Sequence, residues 1–127
     1  MTKKVLIADD QPDARQLLED ILEAFEPRVR VITAVDGEEA LKVARAEKPD
    51  LAFLDVMMPG KDGFAVCREL KADPDLAKMY VILVTALAQF RDREKGAAAG
   101  ADEYITKPYD TNFVTERVQA VLGIKPL

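Results

Sequence analysis

Three aspartates, a threonine and a lysine stand where this chain could do chemistry: Asp9-Asp10, Asp55 and Thr85-Ala86 directly after short apolar runs, and Lys107-Pro108 one residue, Thr106, after another. A carboxylate can attack phosphorus and become an aspartyl phosphate. Asp55 is the best candidate nucleophile, because it ends an apolar run and is followed by Val56-Met57-Met58-Pro59-Gly60, a loop whose backbone groups can face the site. Carboxylates gathered on one rim repel each other unless a cation intervenes. Mg²⁺ is the natural ion, since it binds one or two carboxylates and keeps its other positions for water or phosphate oxygens. Lys107 would add a second positive charge for phosphoryl oxygens, and the Thr85 hydroxyl one more hydrogen bond.

Strands and helices in alternation carry these residues. Val5 to Ala8, Val29 to Ala34, Leu51 to Leu54, Val81 to Val84 and Tyr104-Ile105 read as five strands. The first, third and fourth lack polar alternation, as central parallel strands covered on both faces do. Between them runs a helical period. Ala14, Leu17, Leu18, Ile21, Leu22 and Phe25 share one face of a helix that begins near Asp10 and Pro12, where Asp10 could also act as a cap. A second helix begins near Asp36 and stops before Pro49, and a third starts at Asp62-Gly63 and turns Phe64, Cys67 and Leu70 inward. The fourth spans Gln89 to Ala99 and closes at Gly100, with the small residues Gly96 to Gly100 closely packed. The fifth spans Asp110 to Leu122, burying Val114, Val118, Val121 and Leu122. Five strands alternating with five helices predict an open, doubly wound α/β fold whose functional rim lies at the carboxyl ends of the strands.

The 127 residues suit one domain, and 49% apolar with 32% charged residues suit a globular chain. A net charge of −5 gives no basic footprint for direct nucleic-acid binding by this chain. One cysteine, Cys67, cannot form an internal disulfide, and the start of the chain enters a strand rather than a signal peptide, so a cytoplasmic setting is expected. No apolar run approaches the roughly 20 residues needed to span a bilayer.

Asp9-Asp10, the stretch Asp55-Val56-Met57-Met58-Pro59-Gly60-Lys61-Asp62-Gly63, Thr85-Ala86 and Lys107-Pro108, in that order after four strands, resemble the receiver domains of two-component response regulators over nearly the whole chain. The resemblance implies a flavodoxin-like (βα)5 five-stranded parallel sheet of order 2-1-3-4-5, with residues 1–123 as the receiver and 124–127 as a C-terminal tail. It implies Asp55 as phosphoacceptor, Asp10 as a direct Mg²⁺ ligand and Asp9 as a ligand through water. Met57 would offer its backbone carbonyl to the metal, and the backbone of Met57 and Ala86 would face the phosphoryl group. Thr85 and Lys107 match the phosphoryl-binding pair, and Thr85 with Tyr104 the switch pair. The implied donor is a sensor histidine kinase or a histidine phosphotransfer protein. The implied effect is a changed surface on the fourth helix, fifth strand and fifth helix, which controls an unidentified output partner or a phosphorylation-dependent homodimer.

Other readings fit less well. An aspartate-nucleophile phosphatase places a second Asp two residues after the first, where this chain has Met57. An FMN carrier needs a phosphate loop where Asp9-Asp10 stands. A degenerate receiver serving as a constitutive interaction module conflicts with the presence of every acidic-site residue. The chain therefore reads as a signalling protein whose only catalysis is its own phosphorylation and dephosphorylation. Met57 and Leu87, two residues after Asp55 and Thr85, offer nothing to orient an attacking water, which predicts a long-lived phosphorylated state. Met57-Met58 otherwise read as gap-fillers, and Arg91, Arg93 and Lys95 as an exposed charged face that could meet a partner.

Overall fold

A computed structural model describes residues 2–126. Met1 and Leu127, the outer ends of the expected receiver and tail, lie outside the described residues. Five strands, β1 (Lys3–Ala8), β2 (Val29–Ala34), β3 (Leu51–Leu54), β4 (Tyr80–Thr85) and β5 (Glu103–Thr106), alternate with α1 (Pro12–Glu23), α2 (Gly37–Glu47), α3 (Gly63–Ala72), α4 (Phe90–Ala98) and α5 (Thr111–Leu122). The strands form one parallel sheet in the order β2-β1-β3-β4-β5. The three unalternated apolar runs are its interior strands.

Side chains that alternate along a strand divide the core into two layers. Leu6, Ala8, Leu54 and Leu83 face one layer with Leu41, Phe64, Cys67 and Leu70 from α2 and α3. Val5, Ile7, Phe53 and Ile82 face the other with Leu18, Leu22, Val114 and Val118 from α1 and α5. Because both faces are covered, the central strands need no polar face.

The helix starts follow local chemistry. Asp36, Asp62 and Asp110 cap α2, α3 and α5, each carboxylate accepting a backbone N–H of the first turn. At α1 the cap position belongs to Gln11 and not Asp10, and Pro12 opens the helix. Leu17 departs from its expected inward face and is 42% exposed, because α1 turns Leu18, Ile21 and Leu22 to the sheet. Phe25 lies just beyond α1 and is fully buried, and Val121 on α5 is only half-buried. Cys67 donates its thiol to the carbonyl of Ala99 at 3.4 Å, and burial pushes the thiol pKa up to about 11. It is an inert core residue at neutral pH. Among the described residues, no helix is long and apolar enough to cross a membrane.

A polar junction fastens β4, β5 and α5 together. Arg117 of α5 donates Nε–H to Oε1 of Glu103 at 2.8 Å and Nη2–H to Oε2 at 2.6 Å, while the Tyr80 hydroxyl donates to Oε2 at 2.7 Å. Burial works to raise the Glu103 pKa, but Arg117 and Tyr80 outweigh it and hold the carboxyl below its ordinary value of 4.5. The ionised form is thus favoured by folding. The stabilisation is present above the unfolded-state pKa and is lost as pH falls through the lower folded value. Arg117→Met is expected to cost about 1 kcal/mol at neutral pH, discounted for partial exposure. The cost should vanish in acid, and urea midpoints of both proteins from neutrality to below pH 4 check it. Equal costs at both ends would show that packing, not charge, holds the junction.

Candidate functional site

β1 and β3 lie side by side and β5 lies one strand further, beyond β4, and the residues that follow these three strands meet on one rim. Main-chain bonds set the level of each end: the N–H of Asp55 donates to the Ala8 carbonyl at 2.9 Å, and that of Lys107 to the Thr85 carbonyl at 2.9 Å. Asp9 and Asp55 are 3% and 8% exposed, two of the few polar side chains inside the molecule. The Lys107 ammonium reaches back between them, donating to Oδ2 of Asp9 at 2.8 Å and to Oδ2 of Asp55 at 2.7 Å.

The other carboxylate oxygens are held by main chain. Oδ1 of Asp9 accepts the Gln11 N–H at 2.9 Å, and Oδ1 of Asp55 accepts the Met57 N–H at 2.9 Å. Arg15 on α1 donates to the backbone carbonyl of Asp9 at 2.8 Å, a support that the sequence did not flag. Gly63, the last residue of the stretch that carries the resemblance, is a second support: a Cβ there would overlap the Asp55 carbonyl, so the loop returning from Asp55 packs directly on the start of α3. The sequence placed it at a helix start and in that motif, and the contact with the Asp55 carbonyl came only with the structure.

The electrostatics leave the site short of positive charge. Burial pushes the Asp9 carboxyl above its ordinary 3.8, with a contribution from the charge of Asp55, although Lys107 and the Gln11 N–H oppose the rise. Burial disfavours the Lys107 ammonium, yet its bonds to Asp55 and Asp9 prevail and raise its pKa. Lys107 therefore stays charged at neutral pH and serves two carboxylates at once. Among the described residues no three acidic, His or Cys side chains are already grouped as a metal cage. Asp10 is half-buried beside Asp9 rather than drawn into the Lys107 contacts. The donor set nevertheless fits a hard divalent ion, which asks for one or two carboxylates and has room for other oxygens. Two buried carboxylates sharing one ammonium, with a third at the next residue, meet that demand.

Thr85 and Tyr104 stand back from this contact. Thr85 is fully buried at the end of β4, and its Oγ1 accepts a long 3.4 Å bond from the Leu87 N–H. The Tyr104 hydroxyl donates to the Leu87 carbonyl at 2.7 Å. Burial raises the phenol pKa, so the hydroxyl keeps its proton for this bond. Both switch-type residues are thus tied to the main chain of Leu87. Sequence could not reveal this, because a backbone carbonyl carries no residue signature. Met57 is 57% exposed, and Ala86 is exposed beside Thr85. Arg93, one of the expected surface cations, lies over the Tyr104 ring, its guanidinium 5.2 Å from the centroid.

An open parallel sheet of order 2-1-3-4-5 with an acidic, lysine-bridged rim defines a flavodoxin-like α/β protein with a site at the strand ends. The model of the response regulator receiver domain matches residues 5–119, and the chain belongs to that family. It is 43% identical over 96% of its length to the alkaline phosphatase synthesis transcriptional regulatory protein PhoP of Bacillus subtilis, covering 49% of that protein. It is 42% identical over 98% of its length to the response regulator PleD of Caulobacter vibrioides, covering 27% of that protein. The chain thus spans less than half the length of these curated relatives. Among solved structures, the beryllofluoride-activated receiver domain of DrrB, a Thermotoga maritima protein, aligns with a TM-score of 0.87 at 31% identity, covering 98% of this chain and 100% of that one.

Proposed function

We propose that this receiver is a phosphorylation switch in which Asp55 takes a phosphoryl group from a phosphohistidine of a sensor kinase or histidine phosphotransfer protein. A carboxylate oxygen of Asp55 forms the new bond to phosphorus, the bond from phosphorus to the imidazole nitrogen breaks, and the imidazole leaves with the electron pair. The observation that carries this reading is the Lys107 ammonium shared between Asp9 and Asp55 at 2.8 and 2.7 Å. It fixes the nucleophile's orientation and places a positive charge where phosphoryl oxygens would arrive. Asp9, Asp10, Asp55 and the Met57 carbonyl would hold Mg²⁺, which supplies charge neutralisation during transfer. The N–H groups of Met57 and Ala86 and the Thr85 hydroxyl complete the phosphoryl-binding set.

Binding of the dianion by Lys107 and Thr85 in one conformer more than another shifts the population of Thr85 and Tyr104, and with them the α4, β5 and α5 surface. Moving such a switch from 1:99 to 99:1 takes about 5.5 kcal/mol of differential stabilisation. The receiver unit is assigned to residues 1–123 with 124–127 as tail, acting in the cytoplasm on an output protein or domain, or through a homodimer, without touching nucleic acid itself. It works as a switch rather than a turnover enzyme.

With Mg²⁺ and acetyl phosphate, intact mass should show one added phosphoryl group, absent from Asp55→Ala and from a metal-free control. Failure to form the adduct, together with spectra unchanged by beryllofluoride and Mg²⁺, would leave the constitutive interaction module as the reading. Exposed Met57 and half-buried Leu87 carry no group to orient water, so the adduct should persist for minutes or longer. Decay within seconds in a time course would contradict that.

A further inference from the structure

α4 is unusual among the helices in how little it buries: Gly96 is the residue it turns inward, with Ala99 just after its end. The space a side chain would take at Gly96 is filled by Tyr104. A Cβ on Gly96 would lie 2.8 Å from Cδ2 and 3.2 Å from Cε2 of that ring, and 3.1 Å from Cδ1 of Leu83. Three residues earlier on the same helix, Arg93 places its guanidinium 5.2 Å from the ring centroid. The ring is thus seated between Gly96, Arg93 and Leu83, and from that seat its hydroxyl reaches the Leu87 carbonyl at 2.7 Å. Leu87 in turn offers its N–H to Thr85 Oγ1 at 3.4 Å. One residue's main chain therefore carries both the bond from the ring and the bond to the threonine.

We propose that Gly96 is a positioning residue of the switch: by leaving the Tyr104 ring room beneath α4, it lets the ring fasten Leu87 and so couples the Thr85 end of the site to α4. This rests on the phosphorylation-switch reading above. The near ring atoms are not the free end of a flexible chain, so any side chain at 96 must push the ring off its seat and away from Leu87. Without that bond the β4–α4 loop is free of Tyr104, and Thr85 loses its mechanical link to the helix surface.

Alanine is ordinarily a better helix residue than glycine, so Gly96→Ala would be neutral or stabilising if the space at 96 were open, and a clash that only loosens packing would lower stability without changing beryllofluoride affinity. The proposal predicts instead that Gly96→Ala displaces the Tyr104 ring, seen as loss of ring contacts to Leu83 in NMR spectra of the protein without ligand. It also predicts beryllofluoride binding with Mg²⁺ weakened by about tenfold. In a Tyr104→Ala background, Gly96→Ala should then change that affinity no further. Tyr104→Phe, which keeps the ring and removes the hydroxyl, covers the case in which Gly96→Ala fails to fold, and it too should weaken the response. A ring that stays seated in Gly96→Ala, or a displaced ring with unchanged affinity in both variants, overturns the proposal. A native protein that ignores beryllofluoride and forms no adduct overturns the phosphorylation-switch reading, and the coupling with it, whatever the ring does.

Discussion

Lys107→Met should be the most damaging single change to the site, lowering stability by about 3 kcal/mol at neutral pH without metal. The reason is the sharing of one ammonium by two carboxylates that are 3% and 8% exposed. Removing it leaves both charges buried and facing each other, whereas methionine preserves most of the apolar stem that Lys107 packs inside. Urea denaturation at neutral pH measures the loss. Millimolar Mg²⁺ should restore part of it, because a divalent ion bound by the native carboxylates stabilises the folded state by mass action. Asp55→Asn in the same chain should recover stability as well, by removing one of the two charges. Transfer from acetyl phosphate should fall by about a hundredfold, since the phosphoryl oxygens lose a preorganised cation. A variant as stable as the native protein in metal-free buffer would mean that water, not Lys107, compensates these carboxylates.

Gly63→Ala should be the second. The added methyl would overlap the Asp55 carbonyl and would lie 2.8 Å from Cα of Val56, so the conflict is with backbone that cannot swing aside. We expect a stability loss of about 1–3 kcal/mol from overpacking. The phosphorylation rate should fall by about a hundredfold, because the chain that must move carries the nucleophile itself. Gly60→Ala is the informative control. Gly60 has φ of +73° and nothing within 4 Å of where a methyl would sit, so alanine there brings only left-handed backbone strain, about 1 kcal/mol. Melting curves and acetyl phosphate time courses on the pair separate the two effects. Gly63→Ala should lose rate out of proportion to stability, and Gly60→Ala should not. Parallel losses in both would remove the special role of the contact between Gly63 and Asp55.

The alternation of elements, the sheet's interior strands and the location of the acidic rim were all legible in the residues alone. Those features are local: unalternated apolar runs mark strands covered on both faces, and Asp36, Asp62 and Asp110 mark helix starts through bonds within a single turn. The errors were local too. The helical period put Leu17 with Leu18 and Ile21, but the width of the stripe that α1 can bury is set by how it lies on the sheet. How the site residues meet was settled by the packing of the elements. Lys107 joins partners 98 and 52 residues away, and no spacing rule reports that its ammonium lies between two carboxylates while Asp10 stays half-buried outside that contact. The Leu87 carbonyl that holds Tyr104, and the empty position at Gly96 that seats its ring, are a backbone atom and a missing side chain. The carbonyl has no residue signature, and the small residues from Gly96 to Gly100 announced close packing but not its partner, so both roles become visible only when β4, α4 and β5 are brought together in space.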